Sequence, residues 1–415
     1  MEEILQQAKG ARAASLILST ASLEKRNRCL SLLAEEVLRE KEEIVRENQK
    51  DLDSARQAGR RGSYLDRLGL MEAGIKRLAD SLVSVKDLPD PLSRTIWETK
   101  RPNGLFIKQV TVPIGVIAII YESRPDVTIE AASLCLKSGN VVILKGGSDS
   151  LQTNILLVRL LRNSLKESGL PEDSVSLVIS REHSAVDYLL SLSDYINLVI
   201  PRGGESLIKT VVEKSRIPVI KHYKGVCHTY VDRAAYLKMA WQVTINAKVQ
   251  RPATCNATET LLVHRDIAEK FLPEMARLFK EHGVQMRGCP ETKKIIPEVI
   301  PAKDDDWGQE FLDLVIAIKI VSSLEEAIAW VNKYGTSHSE AIITEDKKAA
   351  ERFLKEVDAA AVYHNASTRF TDGFEFGLGA EIGISTDKIH ARGPMGLREL
   401  TSYKYLVYGS GQLKV

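Results

Sequence analysis

The sequence predicts an α/β protein built on two successive units of alternating strands and helices. In the first unit, short apolar runs alternate with helical stretches over residues 116–221, and a second alternating unit begins near residue 228. Strands that are buried on both faces are continuously apolar, and helical crossovers between them imply a parallel sheet. An open, doubly wound sheet of this kind binds nucleotides at its strand ends.

Each predicted element follows from its pattern of apolar residues. Helical spacing of apolar side chains predicts helices over residues 2–85. In the first unit, strands are predicted at 116–120, 141–144, 175–179, 196–200 and 217–220. In the second unit, strands are predicted at 258–263, 315–321, 341–343 and 360–362, and helices at 266–282 and 324–334. Residues 104–112 and 403–408 alternate in polarity, which indicates strands, the second at an edge or interface.

Composition excludes several classes of function. The chain has 415 residues, with 57 Lys and Arg against 55 Asp and Glu, so the net charge of +2 provides no basic surface for nucleic acid. No run of about 18 apolar residues exists, and the acidic start at Met1–Glu3 does not resemble a signal peptide. We therefore expect a cytoplasmic protein without a nucleic-acid or membrane partner.

The number and spacing of the cysteines favour a chemical role for one of them over a structural role. They are Cys29, Cys135, Cys227, Cys255 and Cys289. Their number is odd, they are scattered, and none forms a Cys-x-x-Cys pair, so we expect neither a disulfide framework nor a bound metal. The remaining question is whether one of them is a nucleophile.

Cys255 is the strongest candidate for that nucleophile. It lies in Gln250–Asn256, between a predicted helix over about 234–246 and the strand at 258. A cysteine on such a connection is exposed, and Arg251 would favour its thiolate. A small buried apolar role is the alternative, and spacing alone leaves both possibilities open.

His222 follows the predicted strand at 217–220. The end of a strand beside a sheet opening is a functional position in this architecture, although an ordinary loop histidine is equally compatible with the pattern.

Two glycine-containing turns follow predicted strands. Lys145-Gly146-Gly147-Ser148 opens one helix, and Arg202-Gly203-Gly204 opens another two strands later. Glycine allows backbone to approach a ligand, and a helix amino terminus attracts anions. Neither turn matches a known phosphate-binding motif, so each is either a plain turn or part of a nucleotide site.

Three arginines in turn or glycine-rich contexts are candidate anion-binding groups. They are Arg124, Arg369 and Arg392. The guanidinium fork suits carboxylate and phosphate, although surface ion pairs are an alternative role for each.

Several stretches together resemble a known family. They are Val112–Val116, Tyr121–Pro125, Gln250–Pro252, Cys255–Ala257, Glu259–Val263, Ser339–Ile342, Ser367–Gly373 and Phe376–Leu397. In this order they resemble the aldehyde dehydrogenase superfamily and, more narrowly, the reductases that act on gamma-glutamyl phosphate in proline biosynthesis. The likeness covers nearly the whole chain.

The resemblance implies the architecture in more detail. It implies two doubly wound parallel-sheet domains and a small β flap for oligomerisation. The cofactor domain would comprise residues 1–103 and 116–225, the catalytic domain 226–394, and the flap 104–115 and 395–415. We therefore expect a homo-oligomer.

The resemblance also assigns site residues. Cys255 matches the catalytic cysteine, Lys145 the lysine at the adenosine ribose, and Glu310 the glutamate at the nicotinamide ribose. The implied reaction is NADPH-dependent reduction of gamma-glutamyl phosphate to glutamate 5-semialdehyde and phosphate through a Cys255 thioester. Asn256 and the Cys255 N–H group are candidate oxyanion donors. Glutamate 5-kinase is a candidate partner that would hand over the labile substrate.

Two departures from the superfamily pattern bear on the chemistry. His222 stands where aldehyde oxidisers carry a glutamate that activates water, which fits a thioester kept for reduction but leaves the role of His222 open. Ser148 stands where members that prefer NAD often carry a glutamate. Removing that carboxylate removes about 4 kcal/mol of repulsion from a 2′-phosphate at ~4 Å, which favours NADPH. The rival hypotheses are an acylating dehydrogenase specific for coenzyme A and a nucleotide-binding scaffold without turnover.

Overall fold

The structure, a computed structural model, describes residues 1–221 and 223–414. The chain forms two compact units. Unit 1 comprises Met1–Lys221, Leu378–Gly383 and Met395–Val415, and unit 2 comprises His222–Gly377 and Ile384–Pro394. No helix among the described residues is long and apolar enough to cross a membrane.

Unit 1 begins with the predicted helical segment. Its helices are α1 (Glu2–Leu18), α2 (Leu23–Arg39), α3 (Lys41–Gln57), α4 (Ser63–Leu68), α5 (Glu72–Asp87), α6 (Pro125–Lys137), α7 (Leu151–Glu167), α8 (His183–Ser191) and α9 (Glu205–Lys214). The Ser22 hydroxyl accepts the Lys25 N–H and caps α2. Leu30, Leu33 and Val37 are fully buried, as their helical spacing predicts.

A parallel sheet forms the centre of unit 1. The strands of this unit up to residue 221 are β1 (Thr95–Lys100), β2 (Phe106–Pro113), β3 (Val116–Tyr121), β4 (Val141–Lys145), β5 (Val175–Leu177) and β6 (Leu198–Arg202). The parallel sheet has the order β5-β4-β3-β6. Every residue of β3 and β4 is buried, which explains their continuous apolar sequence.

The prediction of a strand at residues 217–220 is wrong. Val219 makes only an isolated parallel bridge with Val199. Pro218 accepts the Val199 N–H through its carbonyl, but proline has no N–H with which to extend a ladder.

Unit 2 contains a larger parallel sheet. Its strands are β7 (Cys227–Val231), β8 (Thr258–His264), β9 (Gln285–Gly288), β10 (Ile300–Pro301), β11 (Val315–Val321), β12 (Ser339–Ile343) and β13 (Ala361–His364). Their order is β10-β9-β11-β8-β7-β12-β13. The helices are α10 (Leu237–Val249), α11 (Arg265–Glu281), α12 (Pro290–Ile295), α13 (Leu324–Tyr334) and α14 (Lys347–Glu356). Phe271, Met275 and Phe279 of α11 pack into its main core.

Two small sheets complete the described chain. A two-stranded sheet pairs β14 (Gly383–Ser385) with β15 (Gly393–Met395). The second sheet, which we call the flap sheet, has the antiparallel order β1-β2-β16, where β16 spans Thr401–Tyr408. Strands β2 and β16 match the predicted alternating segments, whereas β1 was not predicted. The two parallel sheets and the small antiparallel flap sheet agree with the predicted α/β architecture.

Candidate active site

Cys255 differs from the other cysteines in its exposure. It is half-buried, while Cys29, Cys135, Cys227 and Cys289 are buried. Burial raises the pKa of Cys29 to about 12 and raises that of Cys227 well above its ordinary value. A thiol becomes a nucleophile through its thiolate, so these two buried groups are poor candidates.

Cys255 lies at the amino edge of the sheet in unit 2. It precedes β8, Gly225 precedes β7, and Glu310 precedes β11, and these three strands are neighbours. The ends of neighbouring parallel strands meet at one edge, so residues far apart in sequence come together. The Glu310 carboxylate accepts the Gly225 N–H at 2.8 Å. The structure therefore groups Glu310 with the Cys255 loop.

Gly225 packs directly on the backbone of Cys255. A Cβ atom built on Gly225 would lie 2.6 Å from the Cys255 Cα and closer still to the carbonyl oxygen. Only glycine fits without moving the Cys255 loop. None of the sequence predictions singled out this glycine.

Asn256 holds the loop through its side chain. Its amide nitrogen donates to the Thr371 carbonyl at 2.9 Å and to the Arg369 carbonyl at 3.3 Å. Its oxygen accepts the Thr254 hydroxyl at 3.0 Å. An asparagine amide has two donor hydrogens, and both are used here. Asn256 therefore anchors the loop, and the roles of its side chain and of the Cys255 N–H as oxyanion donors stay predictions.

Arg369 is the predicted anion-binding arginine that the structure brings to the Cys255 loop. Its Nε donates to the Gln250 side-chain oxygen at 2.9 Å. Burial lowers the pKa of Arg369, the positive charge of Arg251 lowers it further, and Cys255 opposes this shift. The Arg369 guanidinium therefore lies within electrostatic reach of the thiol and would stabilise its thiolate.

The other two predicted arginines form ion pairs elsewhere. Arg124, in unit 1, lies 3.4 Å from the Asp126 carboxylate. Arg392, in unit 2, pairs with Asp358 at 2.7 Å, and Lys388 pairs with the same carboxylate. The pKa of Asp358 is lowered by both cations. Both contacts are ion pairs of the kind that we gave as the alternative role of these two arginines. His222, a further candidate, lies outside the described residues.

The glycine-containing turns of unit 1 meet at the carboxyl edge of its sheet. Lys145 ends β4 and is buried, and its Nζ donates to the Gly146 carbonyl at 2.9 Å. Burial lowers its pKa. A Cβ atom on Gly147 would lie 2.9 Å from the Ser123 nitrogen. This turn therefore requires glycine for its close backbone approach.

The second turn is fixed by a glutamate that the sequence analysis missed. Gly204 donates its N–H to the Glu122 carboxylate at 2.8 Å, and a Cβ atom on Gly203 would lie 2.7 Å from the same side chain. Glu122 follows β3, which lies between β4 and β6. Glu122 lies within the family stretch Tyr121–Pro125, but the resemblance assigned it no role.

These residues fit a nicotinamide dinucleotide. The lysine ammonium offers donors for ribose hydroxyls, and glycine backbone at the carboxyl edge of a parallel sheet suits a pyrophosphate. Ser148 supplies a hydroxyl, which donates to Asp149 at 3.2 Å. Asp149 therefore supplies a carboxylate one residue after Ser148, the position at which NAD-preferring members often carry a glutamate.

A basic loop offsets that carboxylate. The Asp149 carboxylate accepts the Tyr64 hydroxyl at 2.6 Å, and the Arg60 guanidinium lies 3.5 Å from it. Arg60 also lies over the Tyr64 ring at 4.9 Å. Positive charge thus stands beside the Ser148 turn.

The family described as "Aldehyde dehydrogenase family" has a sequence model that matches residues 1–295 and 296–404. The chain belongs to this family. It is also 52% identical over 414 residues to "Gamma-glutamyl phosphate reductase" of Carboxydothermus hydrogenoformans, with all of both chains covered. The crystal structure of "Gamma-glutamyl phosphate reductase" from Thermotoga maritima superposes with a TM-score of 0.98 at 48% identity, again over all of both chains.

These likenesses confirm the narrower resemblance as well as the superfamily. A structure of an acetylating aldehyde dehydrogenase from Geobacillus thermoglucosidasius has a TM-score of 0.69 at 16% identity, covering 100% of this chain and 98% of that one. A sequence identity of 16% shows a shared fold and nothing about shared function. Members of the aldehyde dehydrogenase family use a nicotinamide cofactor and act on small molecules.

Proposed function

We propose that the chain reduces gamma-glutamyl phosphate to glutamate 5-semialdehyde and phosphate with NADPH, as a step of proline biosynthesis. The observation that carries the proposal is Cys255, a half-buried thiol held against Gly225 at a sheet edge with Arg369 and Glu310 nearby. Relatives at about half identity bear the name of this reductase.

Cys255 carries the covalent step. Its thiolate attacks the gamma-acyl carbon, the bond from that carbon to the phosphate oxygen breaks, and phosphate leaves with the electron pair. The product is a thioester on Sγ. The positive charges of Arg251 and Arg369 favour the thiolate before attack and the anionic substrate during binding.

The second step regenerates the thiol. The reduced nicotinamide supplies a hydride to the thioester carbon when it is bound. The Cys255 N–H stabilises the resulting oxyanion. The bond from carbon to Sγ then breaks, the aldehyde carbonyl forms, and the thiolate returns.

The resemblance implies which residues would hold the cofactor. Lys145, Gly203 and Gly204 would hold the adenosine ribose and pyrophosphate, and Glu310 the nicotinamide ribose. We propose NADPH over NADH because Ser148 bears no charge and Arg60 balances Asp149.

We also propose the setting of the reaction. The five cysteines form no disulfide, which suits a reducing cytoplasm, and a labile acyl phosphate suits handover from glutamate 5-kinase. The functional division into cofactor domain, catalytic domain and flap, with the flap joining copies of the chain, is part of the same proposal. Arg124 and Arg392 remain candidate substrate contacts.

The test is phosphate-dependent reduction of NADP⁺ by glutamate 5-semialdehyde. We expect turnover with phosphate, none with coenzyme A, and none in Cys255→Ala, while Cys289→Ala, which alters a buried thiol, stays active. Turnover that requires coenzyme A would favour the acylating dehydrogenase. No turnover, together with no alkylation of Cys255 by iodoacetamide, would favour a scaffold.

A further inference from the structure

A fully buried ion pair between Lys248 and Glu259 lies at the base of the Cys255 loop. Lys248 lies in the last turn of α10, and Glu259 is the second residue of β8. Their charged atoms are 2.6 Å apart, and both side chains have zero exposure. The pair therefore ties together the two chain segments from which the nucleophile loop leaves and returns.

Glu259 also holds a second segment. While one carboxylate oxygen contacts Lys248, the other accepts the Leu312 N–H at 3.3 Å. Leu312 has a φ of +54°, in the left-handed region that residues other than glycine rarely adopt. A fixed acceptor on its N–H helps to keep the 309–313 segment in this conformation.

The 309–313 segment is in turn linked to Cys255. It carries Glu310, whose carboxylate accepts the Gly225 N–H at 2.8 Å, and Gly225 packs on the Cys255 backbone. Glu259 thus lies at the junction of two routes to Cys255, one through its own strand and one through Glu310. Both routes run within unit 2.

Stability does not by itself explain such a pair. Desolvation of two charges offsets much of their attraction, and well-packed apolar residues of similar volume often serve folding as well. A pair of apolar side chains, however, would offer no acceptor to the Leu312 N–H. Polar side chains are therefore needed only for the link between the Cys255 loop and the 309–313 segment.

We infer that Lys248 and Glu259 are positioning residues, which fix the Cys255 loop relative to the Glu310 segment during reduction. The inference rests on the proposed role of Cys255. Neither residue touches a reacting atom, so their effect is on the alignment of the thioester and not on binding of the substrate.

The test compares two double variants that remove both charges. Lys248→Met with Glu259→Leu removes the acceptor for Leu312, whereas Lys248→Met with Glu259→Gln keeps an oxygen there. We expect both to melt near the wild-type temperature. We expect kcat to fall roughly 10- to 100-fold in the Leu variant, with KM within threefold, and to fall less in the Gln variant.

Two further measurements make the outcome decisive. Iodoacetamide should alkylate Cys255 in both variants within threefold of the wild-type rate, because the thiol itself is unchanged. As a control, Arg26→Met with Asp90→Asn removes an ion pair from unit 1 and should leave kcat unchanged.

Wild-type kcat in a well-folded Leu variant would overturn the inference, as would equal losses in the Leu and Gln variants. Alkylation that falls in parallel with kcat would also overturn it, since the pair would then act on the thiol. Failure of the proposed function is a separate result, namely wild-type protein without phosphate-dependent turnover.

Discussion

Gly225 packs so closely on the Cys255 backbone that one added methyl group would displace the Cys255 loop. A Cβ atom at residue 225 would lie 2.6 Å from the Cys255 Cα. Because the Gly225 N–H is also bonded to Glu310, the glycine cannot withdraw without losing that contact. The position of the thiol is thus set by a residue thirty positions earlier in the chain.

Gly225→Ala should therefore abolish most activity. Backbone at Cys255 must shift, and overpacking of this kind costs about 1–3 kcal/mol of stability. We expect the free energy of unfolding to fall by that amount and kcat/KM to fall by roughly 100-fold. Gly308→Ala is the matched control, because nothing lies within 4 Å of a Cβ atom there. Retained activity in Gly225→Ala would show that the loop tolerates displacement.

Arg60→Ala should weaken NADP⁺ more than NAD⁺. Removing this cation leaves Asp149 beside the Ser148 turn without its ion-pair partner. A lost contact with a charged group is worth about 1.5–3 kcal/mol, so we expect roughly a 10- to 100-fold loss of NADP⁺ affinity by calorimetry. Arg56→Ala, which alters an exposed pair with Asp53, should have no effect. Equal losses for the two nucleotides would contradict a role for Arg60 in selecting the phosphate.

Glu259 should impose a pH dependence on stability. Burial raises the pKa of Glu259 from 4.5 to about 7, opposed by the charge of Lys248 and assisted by that of Glu310. The folded state then holds a proton that the unfolded state releases, so stability is lost as the pH rises from about 4.5 to about 7. We expect urea unfolding of wild type to show this loss and Glu259→Gln to lack it. Parallel pH profiles for the two proteins would refute the assignment.

The flap sheet should mediate assembly. Strand β16 is an edge strand whose exposed side chains include Tyr403, Tyr405 and Val407. Exposed apolar edges of this kind are suited to pairing with another chain. We expect Tyr405→Lys with Val407→Lys to shift the protein to a smaller species in sedimentation, while Leu354→Lys on α14 does not. A wild-type monomer at micromolar concentration would rule out this role.

Periodicity and apolar runs determined most of the fold. The strands β3, β4, β8 and β11 were predicted within two residues because strands buried on both faces must be apolar throughout. Short or weakly apolar elements were missed, including β1, β9, α12 and α14. Residues 217–220 were overpredicted, since an apolar run carries no information on whether a partner strand can bond to it.

For the site, the sequence by itself determined which residue types could do the chemistry, and the family motifs identified Cys255 among five cysteines. Tertiary structure decided what surrounds it. Gly225 contacts Cys255 and bonds to Glu310 because neighbouring strands begin at one edge of the sheet, an order that no local pattern encodes. The structure also assigned Asn256 to loop anchoring, because both of its amide hydrogens meet backbone carbonyls from residues over a hundred positions away.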